Sequence, residues 1–594
     1  MPGHRWHLGR VGLSSAVIAV LVAVLPGAAV SAPPAASAGA SAAVSGLRDL
    51  AVVPAAKACA DLLTGDYTGI PGAPTKLDSA TVVPAGPGVP QPYCDVKGYV
   101  ASAVHFEVKL PISGWTQRFL MLGCGGYCGF VSTAPPAAAT YGCAPVTSGE
   151  MVLAATDLGH VRGGQLFADG MWALGNPGAV ADFAYLGMHK TTLAAKALIK
   201  SFYNRGPRYS YYVGCSDGGR EGLHEVQRYP DDYDGVVAGA PVIDEVATNT
   251  FYHAWNVRVN SRPDGRAILT ADKIPALHQA VLDACGANAG GQGDMIQDPR
   301  ACDLDARTLV CAGADAPTCL TPAQADVVNK LWSGPVDRHG VHLSAGDMPY
   351  GSELSWIGTM VPADPNAILS PTTVGDAQWS YDFPNYMARF DAPTGITYQN
   401  IQFTRREFAY LHQLTGIYDP TNPDLRRFAA RGGKLLLWTG AADSGASPYM
   451  VLNYYDAVRR TLGIRAANRF MTLYMAPGVY HCGAGPTPAR ADYLTPLMQW
   501  TETGTHPDRV VVQYLTGPTD ATVAKTRPVF PYPAIAHYTG TGSKDDAANY
   551  VKAPPVQLFT DRYPWAGLTH YTASHTRWYV PGTPRLSTHR PSGS

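Results

Sequence analysis

From Tyr99 to Gly239 short apolar runs alternate with segments of helical periodicity, and few folds accept that order. The runs "RFLMLGCGG" and "MVLAATDLGH" read as buried strands entering glycine or polar loops. "DFAYLGMHKTTLAAKALIKSFY" carries apolar residues at helical spacing, the aromatic run "YSYYVG" stops at glycine, and "REGLHEVQRYP" is a helix ended by Pro230. A further strand, "DGVVAGAP", follows. Strand, helix, strand, helix, strand predicts a parallel sheet covered on both faces. Between 242 and 408 the alternation breaks into helices and loops rich in Pro, Gly and Asp, with four cysteines between Cys285 and Cys319. It returns in "GGKLLLWTGAADS" and "FMTLYMAPGVYHCG", so 242–408 is an expected insertion into a single sheet.

A chain of 594 residues, 46% hydrophobic, can bury a large core. Its 45 Lys and Arg are balanced by 46 Asp and Glu, which argues against the basic face expected of a nucleic-acid binder, although neutrality of the whole chain leaves room for a local patch. The N-terminus has the layout of an export signal: His4, Arg5 and Arg10 precede an apolar run from Val11 to Leu25, and small residues then offer cleavage after Ala32 or Ala38. The run is shorter than the ~20 residues of a spanning helix, so secretion is expected and a membrane anchor is not. The chain then divides into a leader (1–38), a first core part (39–241), the insertion (242–408), a second core part (409–554) and an aromatic, basic tail (555–594). Eleven cysteines suit an exported, disulfide-bonded protein and leave at least one unpaired within the chain. Their spacing lacks paired Cys-x-x-Cys knuckles, which argues against zinc.

Gly214-Cys215-Ser216-Asp217-Gly218 falls between a strand and a helix, where Gly-x-Ser-x-Gly forms a tight turn that lifts a serine hydroxyl above the sheet. A nucleophilic serine needs a base and the base an orienting carboxylate, in the chain order Ser, acid, His. Asp443 follows the strand "LLLWTG" and His481 follows "TLYMAPG", which places both at carboxyl ends of strands. Cys215 precedes Ser216 and Cys482 follows His481. A bond between them would hold their Cα atoms roughly 5.5 Å apart and bring serine and histidine toward the ~3 Å that proton transfer requires. Separate partners for the two cysteines would make both adjacencies coincidental. For a developing oxyanion, the expected backbone donors are the amide of Asp217 and one from "GCGGYCG", with Gly126 preferred and Gly125 next. No Walker lysine follows that loop and no acid stands where a dinucleotide fingerprint needs one, so the case for a phosphate cradle is weak.

With these stretches, the Gly440–Asp443 acid loop and "HCGAG", the sequence resembles the tannase and feruloyl esterase family, which also includes a bacterial hydrolase of the PET monoester. The resemblance runs from about Cys59 to Asn549, and the pairing of Cys-Ser with His-Cys is its most specific mark. It implies an α/β-hydrolase core with a large lid at 242–408. It also implies disulfides Cys59–Cys94, Cys285–Cys302 and Cys311–Cys319. Cys124, Cys128 and Cys143 remain, and the expectation is a bond from Cys128 to Cys143. Family lids carry a calcium loop of the form Cys-Asp-x-x-Asp-x-x-x-Asp. Here Gly286, Ala289 and Gly293 stand at the acidic positions, so no metal and no other cofactor is expected, Asn288 and Asp294 supporting at most a weak, rearranged site. Two late family cysteines are Phe530 and Lys552 in this chain.

The implied activity is serine carboxylic-ester hydrolysis of aromatic esters of the hydroxycinnamic or gallic type, free or on a plant polymer, with Ser216, Asp443 and His481 as triad. Trp356, Trp379, Tyr381 and Arg389 are the expected wall of the acyl pocket, although Arg389 more often would only bridge surface acids. Rival readings are an amidase or peptidase on the same core, and a secreted binding protein that has lost activity. The intact Ser216, Asp443 and His481 set argues against the second.

Overall fold

A computed structural model of the chain describes residues 46–163, 168–287, 293–388 and 392–573. The expected leader at 1–38, Arg389 and the last residues from 574 lie outside the described residues. The centre is a nine-stranded sheet: β1 (Thr75–Val83), β2 (Tyr93–Val100), β3 (Val104–Pro111), β4 (Arg118–Leu122), β5 (Met151–Thr156), β6 (Tyr209–Cys215), β7 (Gly235–Gly239), β8 (Lys434–Gly440) and β9 (Met471–Ala476). Their spatial order is β1-β2-β3-β5-β4-β6-β7-β8-β9. From β5 to β9 every neighbouring pair is parallel. The expected parallel sheet is therefore mixed, because β1, β2, β3 and β5 pair antiparallel. β1 and β2 alternate buried with more exposed residues, as strands wetted on one face do. By contrast, all five residues of β4 and all five of β7 are buried.

The chain leaves β4 toward β5 on one side and leaves β6 toward β7 on the other. Loops that diverge in this way open a crevice at the carboxyl ends of β4 and β6, where ligands of open α/β sheets bind. The helix Gly187–Tyr203 covers one face with Met188, Thr191, Thr192, Ala195, Leu198, Ile199 and Phe202, spaced three and four apart. The helix Asp217–Arg228 is buried along nearly its whole length. It can approach so closely because a Cβ on Gly219 would lie 2.3 Å from the Gly239 carbonyl oxygen, and one on Gly222 would lie 2.8 Å from the Tyr212 ring.

Between β7 and β8 no described residue of 242–408 joins the main sheet. This segment builds a hydrophobic cluster of its own from Leu269, Ile274, Leu277, Val281, Leu331, Trp332 and Trp356. Cys285–Cys302 and Cys311–Cys319 staple it. After β9 a three-stranded antiparallel sheet carries Val510–Gly517 and Asp520–Val529.

Residues 555–573 do not hang free of the core. Trp565 and Tyr571 belong to the main hydrophobic cluster. Tyr571 donates its hydroxyl to Asp244 Oδ2 at 2.5 Å, and the Tyr563 amide donates to Asn453 Oδ1 at 2.7 Å. Asp561 pairs with Arg300 of the insertion at 3.2 Å and with Arg459 of the helix Pro448–Leu462 at 3.6 Å. The segment thus straps the insertion to the second half of the core. Replacing a buried tryptophan by alanine leaves a cavity, so Trp565→Ala is expected to lower stability by about 3 kcal/mol in urea unfolding.

Candidate active site

β6 ends at Cys215 and the next helix starts at Asp217, so Ser216 alone makes the turn, at φ 65° and ψ −123°. A side chain at positive φ is sterically strained, and such strain concentrates at functional turns. The flanking glycines are required. A Cβ on Gly214 would sit 2.3 Å from the Gly218 carbonyl oxygen, and one on Gly218 would sit 2.7 Å from that of Cys124. The Ser216 amide donates to the Gly239 carbonyl at 3.0 Å, tying the turn to β7.

Asp443 lies in the loop after β8 and His481 in the loop after β9. The Asp443 carboxylate is fully buried and accepts the amides of Gly445 and Ala446 at 2.9 and 2.8 Å. His481 Nδ1 lies 3.0 and 2.9 Å from its two oxygens, and His481 Nε2 lies 2.8 Å from Ser216 Oγ. A carboxylate only accepts, so Nδ1 carries the proton and Nε2 is the free base facing the hydroxyl. Burial disfavours the imidazolium, but the Asp443 charge and hydrogen bond outweigh it and hold the His481 pKa above its ordinary 6.5.

Cys215 and Cys482 are bonded, with Cα atoms 5.9 Å apart across 267 residues of sequence. Cys59–Cys94 is also formed. The expected Cys128–Cys143 bond is not: Cys128 pairs with Cys124, and Cys143 is a free, buried thiol whose pKa burial pushes up to about 12. The cause is local. Gly126 at φ 66° and Cys128 at φ 59° curl the loop until Cα atoms four residues apart lie 5.4 Å from each other.

That loop and the start of the helix Asp217–Arg228 meet over Ser216, and Gly126 and Asp217 line one cavity with Ser216 and His481. Gly125 does not line it; its carbonyl accepts the Cys128 amide at 3.2 Å. Arg220, fully buried, anchors the Asp217 side chain at 2.5 Å and donates to the carbonyls of Phe183, Ala184 and Tyr418. Beneath lies Glu221, which burial and the Asp217 charge hold neutral. Its Oε2 is 2.8 Å from the Tyr212 hydroxyl, which is itself 2.6 Å from the Gly218 carbonyl. A proton on Glu221 lets the tyrosine accept from it and donate to Gly218, so one hydroxyl serves both contacts.

Trp379 lines the cavity as expected. Trp356 does not: it is fully buried in the insertion's own cluster, and its Nε1–H donates to Ser352 Oγ at 3.0 Å. Tyr381 is half-buried, away from the cavity lining. Sequence reasoning missed Glu245, Asn249 and His253, which line the cavity from the helical stretch after β7. Their spacing of four, beginning just after "VVAGAP", was the available signal.

The positions at which the resemblance implied a calcium loop do not fit the ion. Gly286 and Gly293 supply no carboxylate, and Ala289 and Asn288 lie outside the described residues. Asp294 is already taken by Lys525 at 2.9 Å and Arg527 at 2.7 Å, and Asp298 by Arg300 at 2.6 Å. Two other groups among the described residues could in principle gather around a cation. In Cys124, Cys128, Asp217 and Glu221 the sulfurs are disulfide-bonded and offer no thiolate. In His189, Glu225 and Asp232 the histidine is 2.5 Å from Asp232, and burial with the neighbouring Asp232 charge keeps Glu225 neutral.

The strand order, the turn at Ser216 and the loops that carry Asp443 and His481 define an α/β-hydrolase. The family profile "Tannase and feruloyl esterase" matches residues 88–553, and the chain belongs to that family. Mono(2-hydroxyethyl) terephthalate hydrolase of Piscinibacter sakaiensis is 29% identical over 541 residues, covering 80% of this chain and 87% of the relative. A probable feruloyl esterase B-1 of Aspergillus fumigatus is 30% identical over 465 residues, covering 75% and 82%. The crystal structure of feruloyl esterase B from Aspergillus oryzae superposes with a TM-score of 0.68 at 27% identity, covering 81% of this chain and 97% of that one. The protein is a carboxylic-ester hydrolase. No helix among the described residues is long and apolar enough to cross a membrane.

A disulfide stabilises partly by restricting the unfolded chain, more so for a longer loop. The Cys215→Ser/Cys482→Ser variant is therefore expected to lose about 4 kcal/mol in guanidinium unfolding, and Cys124→Ser/Cys128→Ser about half as much. Equal losses would place the contribution of the first bond elsewhere.

Proposed function

We propose that the protein is an exported serine esterase that cleaves esters of aromatic acids through an acyl-enzyme on Ser216. The observation that carries this reading is the unbroken chain of hydrogen bonds from the Ser216 hydroxyl through His481 to buried Asp443. Ser216 Oγ attacks the ester carbonyl while His481 Nε2 takes its proton, and Asp443 stabilises the imidazolium that forms. The amides of Asp217 and Gly126 receive the oxyanion at the start of a helix, where the backbone dipole favours negative charge. His481 then protonates the departing alcohol. A water molecule, activated by the same nitrogen, releases the acid and restores Ser216.

The insertion acts as a lid, and Trp379 supplies a flat wall for the acyl ring. Support for an aromatic acyl group comes from relatives named for feruloyl and terephthalate esters. Export is supported by the leader pattern and by five disulfides, which persist in oxidising compartments. Calcium is dispensable, because the cations that neutralise Asp294 belong to the chain itself.

Ser216→Ala is expected to lower kcat on methyl ferulate roughly ten-thousand-fold with the fold intact by circular dichroism; a rate near wild type would exclude the nucleophile. Only neutral His481 is a base, so kcat/KM should rise with pH through a midpoint above 6.5, the raised imidazole value. Asp443→Asn removes the charge that raises it, which should move this midpoint to lower pH as well as cut the rate. Dialysis against EDTA should leave both rate and melting temperature unchanged.

A further inference from the structure

Directly after β7 the chain enters a helical stretch with a widened turn at its centre: Glu245–Ala247 is α-helical, Thr248–Tyr252 is π-helical, and His253–Val259 is α-helical again. Single π turns are uncommon and recur at functional sites, because they re-aim side chains. Here the stretch presents Glu245, Asn249 and His253 to the cavity that holds Ser216 and His481.

Glu245 is the anomaly among them. Its side chain is 2% exposed, yet Oε1 has no hydrogen-bond partner. Burial and the adjacent Asp217 charge push its pKa up to about 8, against the Arg220 charge and a hydrogen bond from Asn249 that lower it; this favours the carboxylic acid at neutral pH, with a proton to donate and Oε1 free to accept. Arg220, the cation closest to serving it, is committed to Asp217 and three backbone carbonyls. A second polar atom is orphaned nearby. The Tyr127 hydroxyl is buried without a partner, and Glu245 is the charge that most opposes its ionisation. The Tyr127 ring stands edge-on to Trp379, with centroids 4.8 Å apart.

Burying such a group unpaired is costly, and for Glu245, which lines the cavity, that cost is recovered when a ligand supplies the missing partner. The ligand must be flat to lie on Trp379, and it must be neutral, because a second carboxylate would face acids and an ammonium would find only Asp217, whose charge Arg220 already neutralises. It must also both accept and donate a hydrogen bond. A ring hydroxyl meets all three demands, whereas a methoxy group cannot donate.

We infer that Glu245 is a specificity-determining residue: its carboxyl group, lining the cavity beside Ser216, hydrogen-bonds a hydroxyl group on the aromatic ring of the bound ester. The inference rests on the reading of Ser216 as nucleophile, and it adds which aromatic esters the site prefers. A carboxamide can also donate and accept, so Glu245→Gln preserves recognition. The thioether of Glu245→Met fills the same space and does not.

The test is the ratio of kcat/KM for methyl 3,4-dihydroxycinnamate to that for methyl cinnamate, measured at pH 7. Because both esters are assayed on one preparation, the ratio is independent of how much of a variant is folded. The wild type should favour the hydroxylated ester at least about tenfold. Glu245→Gln should keep most of that preference, and Glu245→Met should bring the ratio to within about threefold of one; Glu245→Ala gives the same readout if the methionine variant does not fold. A wild-type ratio near one, or a methionine or alanine variant that keeps the wild-type ratio, overturns the role of Glu245 while leaving the esterase reading in place. A wild type that cleaves neither ester overturns the reading as an esterase of aromatic acids and this inference with it.

Discussion

The covalent tie between Cys215 and Cys482 is the constraint on which the site depends. Ser216 belongs to the turn after β6 and His481 to the loop after β9, with β7 and β8 between them in the sheet. Loops on separate strands fluctuate independently, and a hydrogen bond of 2.8 Å tolerates little relative motion. Bonding the residues next to the serine and the histidine removes that freedom at its source. The remaining orientation is supplied by Asp443, which two backbone amides fix from behind.

Around this pair the protein keeps an unusual density of buried acids. Asp217 has Arg220 for a partner, while Glu221 and Glu245 are held neutral by burial and by the Asp217 charge. One ionised acid with its arginine, flanked by protonated ones, lets carboxyl groups crowd a dry site without mutual repulsion. Glu221 uses its proton to join the helix Asp217–Arg228 to β6 through Tyr212. Glu245 has Asn249 for a hydrogen-bond partner, while its Oε1 is left without one.

At the periphery, two cations of the chain meet an acid of the insertion. Lys525 and Arg527 come from the strand Asp520–Val529 and converge on Asp294 of the insertion. The strap at 555–573 adds Asp561–Arg300 and Tyr571–Asp244. Both contacts join the insertion to segments that follow it in sequence, so its position over the cavity depends on the second half of the chain.

Much of this was legible in the sequence where the determinants are local. Strand and helix periodicity marks β4 to β9, because buried parallel strands must be continuously apolar. The order Ser216, Asp443, His481 and the two adjoining cysteines points to one place, since loops at one end of a parallel sheet are neighbours whatever their separation along the chain. What escaped depends on conformation or on distant packing. The Cys124–Cys128 bond needs two residues at positive φ, which no spacing rule shows. Trp356 and Trp379 look alike in sequence, yet one fills the insertion's core and the other faces the cavity, because only packing decides which side of a helix or turn looks inward. The sequence alone determined the hydrolase core and the family. The tertiary structure decided which buried acids stay neutral, which cations meet Asp294 and which side chains line the cavity, because desolvation and charge act through space rather than along the chain.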